Sequence, residues 1–246
     1  MRSFVMLGCG LALMVLAAGP LNGAQISGSV FSPSADSVDL SAEGSVDWAH
    51  WGYTNKDTFN HKSSGGSQIS ALGMFNEGAN AGATTRARLT DSHSVFKWND
   101  GNPNGAITDG HYGVYTGNFD GPGRGFVFTV PADLLQRVLK VYVGEWNANG
   151  TLEASLSDSS APMYTNTMSG VSGQTVQGVY TLNYSAASNG KTLQVRWKET
   201  GVLPGGADNV AIQAASLQVA FVPEPATLAL LSSGIALLFM RRRTGR

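Results

Sequence analysis

Cysteine is almost absent: Cys9 is the only one in 246 residues. It falls inside an uncharged N-terminal run, so the remainder offers neither a disulfide framework nor a thiolate metal site, and its stability has to come from packing. Charge is scarce as well. Asp, Glu, Lys and Arg make up 13% of the chain, about half the share usual in soluble domains. That argues against a coiled coil, a helical bundle or a charged disordered tail. The formal net charge of −1 argues against a nucleic-acid binder, which carries a basic stripe. No HExxH pair, nucleophile elbow, Walker loop or dinucleotide fingerprint occurs. Glycine, in contrast, is abundant: 31 residues, close to twice the usual share and without a Gly-X-Y period.

The few charges are unevenly placed. Arg2 precedes Phe4 to Ala18, a stretch with no charge and many apolar residues, followed by small residues. This is the layout of a secretory signal peptide, residues 1–24, with cleavage expected at Ala24 and an alternative after Gly19. At the other end, residues 226–240 are uncharged and mostly apolar, and Arg241, Arg242 and Arg243 follow at once. Such a run, shorter than a comfortable bilayer span of about 20 residues, with cationic residues behind it, reads as a C-terminal transmembrane helix stopped on the cytoplasmic side. Pro223 and Pro225 cannot sit inside that helix and mark its start.

A plain anchor does not account for Pro223-Glu224-Pro225. In that order, the tripeptide, the apolar run with Gly234 and the arginine cluster resemble the PEP-CTERM sorting signal of Gram-negative bacteria. The resemblance covers residues 223–246. It implies export, transient membrane anchoring and processing near Pro223-Glu224-Pro225 by an exosortase, with delivery to the cell surface or an extracellular polysaccharide matrix. A sorting signal is an address and leaves the cargo's task open.

Residues 25–222 are predicted to form that cargo. Apolar residues recur at every second position in 95–98, 125–130, 139–146, 151–156, 178–184 and 192–197. Period two marks half-buried strands. In LKVYVGEW, Leu139, Val141 and Val143 share one face, while Lys140, Tyr142 and Trp146 share the other. A final strand is expected within Val210 to Val222. Asn149-Gly150 and Asn189-Gly190 read as hairpin turns, and PADLLQR at 131–137 as one or two helical turns after Pro131. About ten to twelve strands with almost no helix predict an all-β, antiparallel, jelly-roll-like β-sandwich. The succession DWAHWG, FNHK, GGSQIS, FKWNDGNPNG, GFVFTVPAD and VYVGEWNANGTLEASLSD resembles the galactose-binding-like β-sandwich class of secreted bacterial proteins, often found beside glycoside-active domains.

Three places carry candidate chemistry. In DWAHWG, Asp47 and His50 sit beside two tryptophans. On a strand, however, residues 47, 49 and 51 face away from 48 and 50, so a dyad is not expected. In NDGNPNGAITDGH, the oxygens of Asp100, Asn102, Asn104 and Asp109 would suit Ca²⁺, the first half matching an EF-hand loop, but His111 stands where the bidentate Glu belongs. An Asn/Asp/Gly turn bonding its own backbone explains the segment equally. Trp51, Tyr53, Trp98, Tyr112 and Trp146 lie at strand ends or beside Gly/Asn loops, where an aromatic face can stack on a pyranose.

The expectation is therefore an exported, non-catalytic β-sandwich of the cell surface or exopolysaccharide matrix that binds glycan. A structural or adhesive matrix protein without a glycan pocket and a secreted glycan hydrolase remain as alternatives. Removing the two terminal segments removes five of the 16 basic residues and Glu224 among the 17 acids. Residues 25–222 then carry a net charge of about −5, which disfavours nucleic acid and anionic lipid as partners.

Overall fold

Period-two patterning is realised as layered antiparallel sheets. The computed structural model describes residues 23–32, 34–78, 85–117 and 121–220. The expected signal segment up to residue 22, Pro223-Glu224-Pro225, the apolar run and Arg241 to Arg243 lie outside the described residues. Among the described residues no helix is long and apolar enough to cross a membrane.

Those residues hold seventeen strands and one short helix. In chain order they are β1 Gln25–Phe31, β2 Ser37–Asp39, α1 Leu40–Glu43, β3 Asp47–Trp51, β4 Phe59–Lys62, β5 Gly73–Asn76, β6 Ala87–Leu89, β7 Val95–Trp98 and β8 Gly101–Asn102. There follow β9 Ile107–Gly110, β10 Gly113–Gly117, β11 Arg124–Ala132, β12 Arg137–Trp146, β13 Ala148–Leu156, β14 Tyr164–Met168, β15 Thr175–Ser185, β16 Lys191–Val202 and β17 Asn209–Val219. The large sheet runs β1-β15-β12-β17-β3-β4-β8, with β10 also on β17 and β6 on β10. The small sheet runs β14-β13-β16-β11-β5, and a third runs β2-β7-β9. One pairing is parallel, β2 with β7.

The core lies between the large and small sheets. Leu139, Val141 and Val143 of β12 face Leu193, Val195 and Trp197 of β16 within one buried cluster that also takes Phe126, Phe128 and Val130 of β11. These side chains come from alternate positions, as the periodicity requires. Residues 23–220 form one compact unit around this core. Strand β17 does not alternate throughout. Its register on β12 shifts between Tyr142 and Val143, leaving Gln213 as an extra residue. Consequently Val210 and Ile212 face inward before the bulge, and Ala215 and Leu217 after it.

A second apolar cluster covers part of the outer face of the large sheet. Val38, Leu40, Phe96 and Trp98, carried by β2, α1 and β7, pack on Trp48, Tyr142 and Ala214. Trp48 and Trp98 meet at 5.2 Å, and Phe96 meets Tyr142 edge-on at 5.2 Å. Glu43 pins α1 to the sheet, accepting from Lys140 Nζ at 2.9 Å and Tyr142 Oη at 2.6 Å.

Three local expectations differ from the structure. Residues 131–137 make no helical turn: Pro131 and Ala132 end β11, paired with Thr192 and Lys191, and the chain bends through 133–136 into β12. Asn149 and Gly150 lie inside β13, and the turn is made two residues earlier by Asn147 at φ 48°. Gly190, at φ 73°, does sit at a turn. Both turns carry the chain from the large sheet to the small one, so neither closes a hairpin. An Asn-Gly pair signals a reversal, while the core decides which sheet the next strand joins.

Candidate functional site

The third layer leaves part of the large sheet's outer face open, and a cleft forms there. Antiparallel register sets Gln177, Gly144, Ala211 and Tyr115 side by side on neighbouring strands β15, β12, β17 and β10. Directly opposed residues share a face. Gly144 and Ala211 bring almost no side chain, so the floor sinks between Gln177 on one side and Tyr115 on the other. The next row toward the strand ends holds Thr175, Trp146 and Asn209. With Arg88, Leu89 and Asp91 the cleft encloses about 400 Å³. A second hollow of about 320 Å³, lined by Asp91, His93, Thr175 and Gln177, shares three of these residues with it.

The glycine keeps this floor low. A Cβ on Gly144 would lie 3.1 Å from Gln177 Cγ and 3.3 Å from Gln213 Nε2, filling the lowest point. The Gln177 amide is held in one orientation because its Oε1 accepts the His93 N–H at 2.8 Å. Its Nε2 is then left buried with no partner, and Gln213 Nε2 beside Gly144 is in the same state. A buried N–H donor without an acceptor costs roughly 1–3 kcal/mol.

The lining is close to neutral. Arg88 is already engaged: Nε donates to Gly52 O at 2.9 Å, an Nη donates to Tyr53 O, and the guanidinium lies over the Tyr112 ring at 3.9 Å from its centroid. Glu145 contributes backbone to the lining while its carboxyl points into the core, where Oε2 accepts the Gly150 N–H at 2.6 Å. Burial pushes that carboxyl up to about 8, so it holds a proton at neutral pH. Glu199, buried in the core, is pushed up to about 9, first by burial and then by the neighbouring Asp208 carboxyl. Asp91 thus carries the exposed charge at the mouth.

The candidate aromatic residues separate. Trp146 is in the cleft wall. Trp51 is 2% exposed, against Phe128 at 5.3 Å and Phe59 at 6.5 Å, inside the main core. Trp98 is 3% exposed, with Nε1 donating to Asn104 O at 2.8 Å. Tyr53 and Tyr112 pack edge-on at 5.5 Å. The structure therefore places one of the five at the cleft. Tyr115, Gln177, Gly144 and Ala211 were not singled out from sequence. Gly144 had a signal, since a glycine inside an apolar strand marks a close approach.

Around NDGNPNGAITDGH the two candidate calcium carboxylates, Asp100 and Asp109, already have protein partners, while Asn104 Oδ1 is buried without one. Asp100 pairs with Lys62 at 2.8 Å and also accepts from Trp48 Nε1 at 3.0 Å and from Ser41 Oγ. Burial alone would raise its carboxyl, and these three donors outweigh it and hold the group below the usual carboxylate range. Asn102 pairs with His61 in the large sheet, the Asn104 N–H donates to Asn60 Oδ1 at 3.1 Å, and Asp109 pairs with His111 at 2.8 Å. Among the described residues no three His, Cys, Asp or Glu side chains gather into a metal-ligating group. Asp47 and His50 fall on opposite faces. Asp47 accepts from the Trp48 and Ile69 N–H groups at 2.9 Å each, whereas burial among Trp98, Phe96 and Tyr53 pushes His50 down to about 3.

Comparison with known proteins adds the sorting signal. The family model described as the PEP-CTERM protein-sorting motif matches residues 221–243. The chain thus carries a PEP-CTERM sorting motif, which marks an exported protein sorted via the membrane and implies exosortase processing. No curated protein sequence matches the chain. Among solved structures, TmCBM61 in complex with beta-1,4-galactotriose is similar over 61% of this chain and 90% of its own, at 11% identity and a TM-score of 0.38. The Clostridium thermocellum xylanase 10B CBM22-1-GH10 modules complexed with xylohexaose are similar over 70% of this chain and 28% of theirs, at 13% identity and a TM-score of 0.34. The enzymatically active domain of bacteriophage CBA120 tailspike protein 4 is similar over 63% and 20%, at 11% identity and a TM-score of 0.38.

Proposed function

We propose that residues 25–222 are a non-catalytic glycan-binding β-sandwich of the cell surface or exopolysaccharide matrix of a Gram-negative bacterium, released there after transient anchoring by the C-terminal tail. The observation that carries this reading is the cleft over Gly144 and Ala211. It joins an aromatic wall, Trp146 and Tyr115, to the amide of Gln177, whose Nε2 has no acceptor within the protein. Aromatic faces suit the apolar side of a sugar ring, and amide donors suit its oxygens. The near-neutral lining and the net charge of about −5 on residues 25–222 favour a neutral polymer over an anionic one.

The test is retention of the domain on the exopolysaccharide of its own organism, with and without Ca²⁺. Retention lost on Trp146→Ala supports the reading, and no retention under either condition overturns it in favour of a structural or adhesive role. Calcium dependence abolished by Asp100→Asn and Asp109→Asn would assign the Asp100, Asn102, Asn104 and Asp109 loop to a bound ion. Release of reducing ends from the polymer would make the protein a hydrolase.

A further inference from the structure

The two ends of the β-sandwich differ in chemistry. Strand β12 runs from Arg137, paired with Val219 and Tyr184, to Trp146, paired with Asn209 and Thr175. Its ten residues span about 30 Å. The cleft lies at the Trp146 end. At the Arg137 end are the bend 133–136, the turn before Lys191 and the exit of the chain at Ala220, whose N–H donates to Gln136 O at 2.8 Å.

That second end carries a group of exposed apolar side chains. Leu134 is 51% exposed and Leu135 57%, side by side at the tip of the bend, and Val219 is 46% exposed beside them. Met163, 56% exposed, closes the 157–163 turn on the same side, since Leu156 before it pairs with Leu193. Four of the seven large apolar side chains exposed among the described residues therefore share one end. The bend is built to hold its leucines outward. Asp133 Oδ1 accepts the Leu135 N–H at 2.9 Å, Asp133 Oδ2 pairs with Arg137 at 2.7 Å, and the Asp133 carbonyl accepts the Ala186 N–H at 2.8 Å. Pairing with Arg137 also neutralises the acid nearest the tip.

Chain length says what covers this patch. Between Ala220 and the uncharged run that begins at residue 226 stand five residues, which reach at most about 18 Å. We infer that the Leu134-Leu135 tip, with Val219 and Met163, is a foot that rests in the surface of the lipid bilayer while the tail is anchored, directing the cleft away from the membrane. The inference rests on the anchoring of the tail proposed above and is independent of what the cleft binds.

The experiment uses the absence of cysteine from residues 25–246. An environment-sensitive fluorophore is placed on Gln136→Cys or, at the cleft end, on Gly173→Cys, in the chain carrying its own tail, reconstituted in phosphatidylcholine vesicles. A parallel chain ending at residue 222 is held by a histidine tag on nickel-chelating lipid, so that failure of the native tail to insert is distinguished from failure of the foot. The label at 136 is expected to shift to the blue and to be quenched by lipid-borne spin label, and the label at 173 to do neither. Leu134→Ser with Leu135→Ser should cut the quenched fraction at 136 roughly tenfold, with polysaccharide retention unchanged. Equal exposure of both labels to an aqueous quencher in the tag-held chain overturns the proposal.

Discussion

Replacing Glu145 by Gln separates ionisation from shape at one buried position. Glu145 is 1% exposed and its Oε2 accepts the Gly150 N–H, a bond that a Gln carbonyl keeps. Burial raises the folded carboxyl from 4.5 to about 8. Between these values the unfolded chain has lost the proton and the folded chain still holds it, so the slope of stability against pH is negative. Stability linked to Glu145 is complete below pH 4.5 and falls as pH rises toward 8, by about 1.4 kcal/mol per pH unit. From pH 5 to pH 8 the wild type should therefore lose up to about 4 kcal/mol relative to Glu145→Gln. That is a large part of a typical 5–15 kcal/mol total. Urea unfolding of both proteins at pH 5, 6, 7 and 8 gives the difference directly. Curves that stay parallel would show that Glu145 ionises normally in the folded chain, and the buried, protonated carboxyl would have to be abandoned.

The same logic gives Glu199→Gln a similar relative gain toward pH 9, because Glu199 is pushed up to about 9. His50 has the opposite sign: its folded value of about 3 lies below the usual 6.5, so stability is lost as pH falls from 6.5 toward 3, and His50→Phe should flatten that acid limb in thermal scans. Gly150→Ala would place a Cβ 2.1 Å from Trp197 Cη2, and calorimetry should show a loss of about 3 kcal/mol, whereas a melting temperature unchanged within 2 °C, roughly 1 kcal/mol, would contradict the packing. Glu43→Ala should loosen α1 from the sheet, seen as faster amide exchange in residues 38–44 with exchange in the main core unchanged.

Much of the sandwich was legible because the two-residue period is strong in β11, β12, β15 and β16, and the structure keeps Leu139, Val141 and Val143 on one face and Tyr142 on the other. What escaped has physical reasons. The third layer is built from short strands of three or four residues, too brief for a period to show. That layer buries Trp98, and the main core buries Trp51, so nearness to Gly/Asn loops did not reveal which tryptophan faces stay open. In β17 the bulge at Gln213 changes which residues face inward, and the near-continuous apolar run around it hides the change. The cleft floor is made by Gly144 and Ala211 meeting across strands, and register is not visible in either strand alone. The DWAHWG face reversal, in contrast, was readable from alternation, and Asp47 and His50 do point apart.

The central claim is that the cleft over Gly144 binds glycan, and filling it is the most direct test. Gly144→Val puts side-chain atoms at the floor between Gln177 and Gln213, away from the inter-sheet core. Isothermal titration of the organism's exopolysaccharide into wild type and Gly144→Val, with near-UV circular dichroism to confirm equal folding, measures it. The account predicts measurable binding for wild type and none for the variant. Equal binding by the two, or none by wild type, would contradict it.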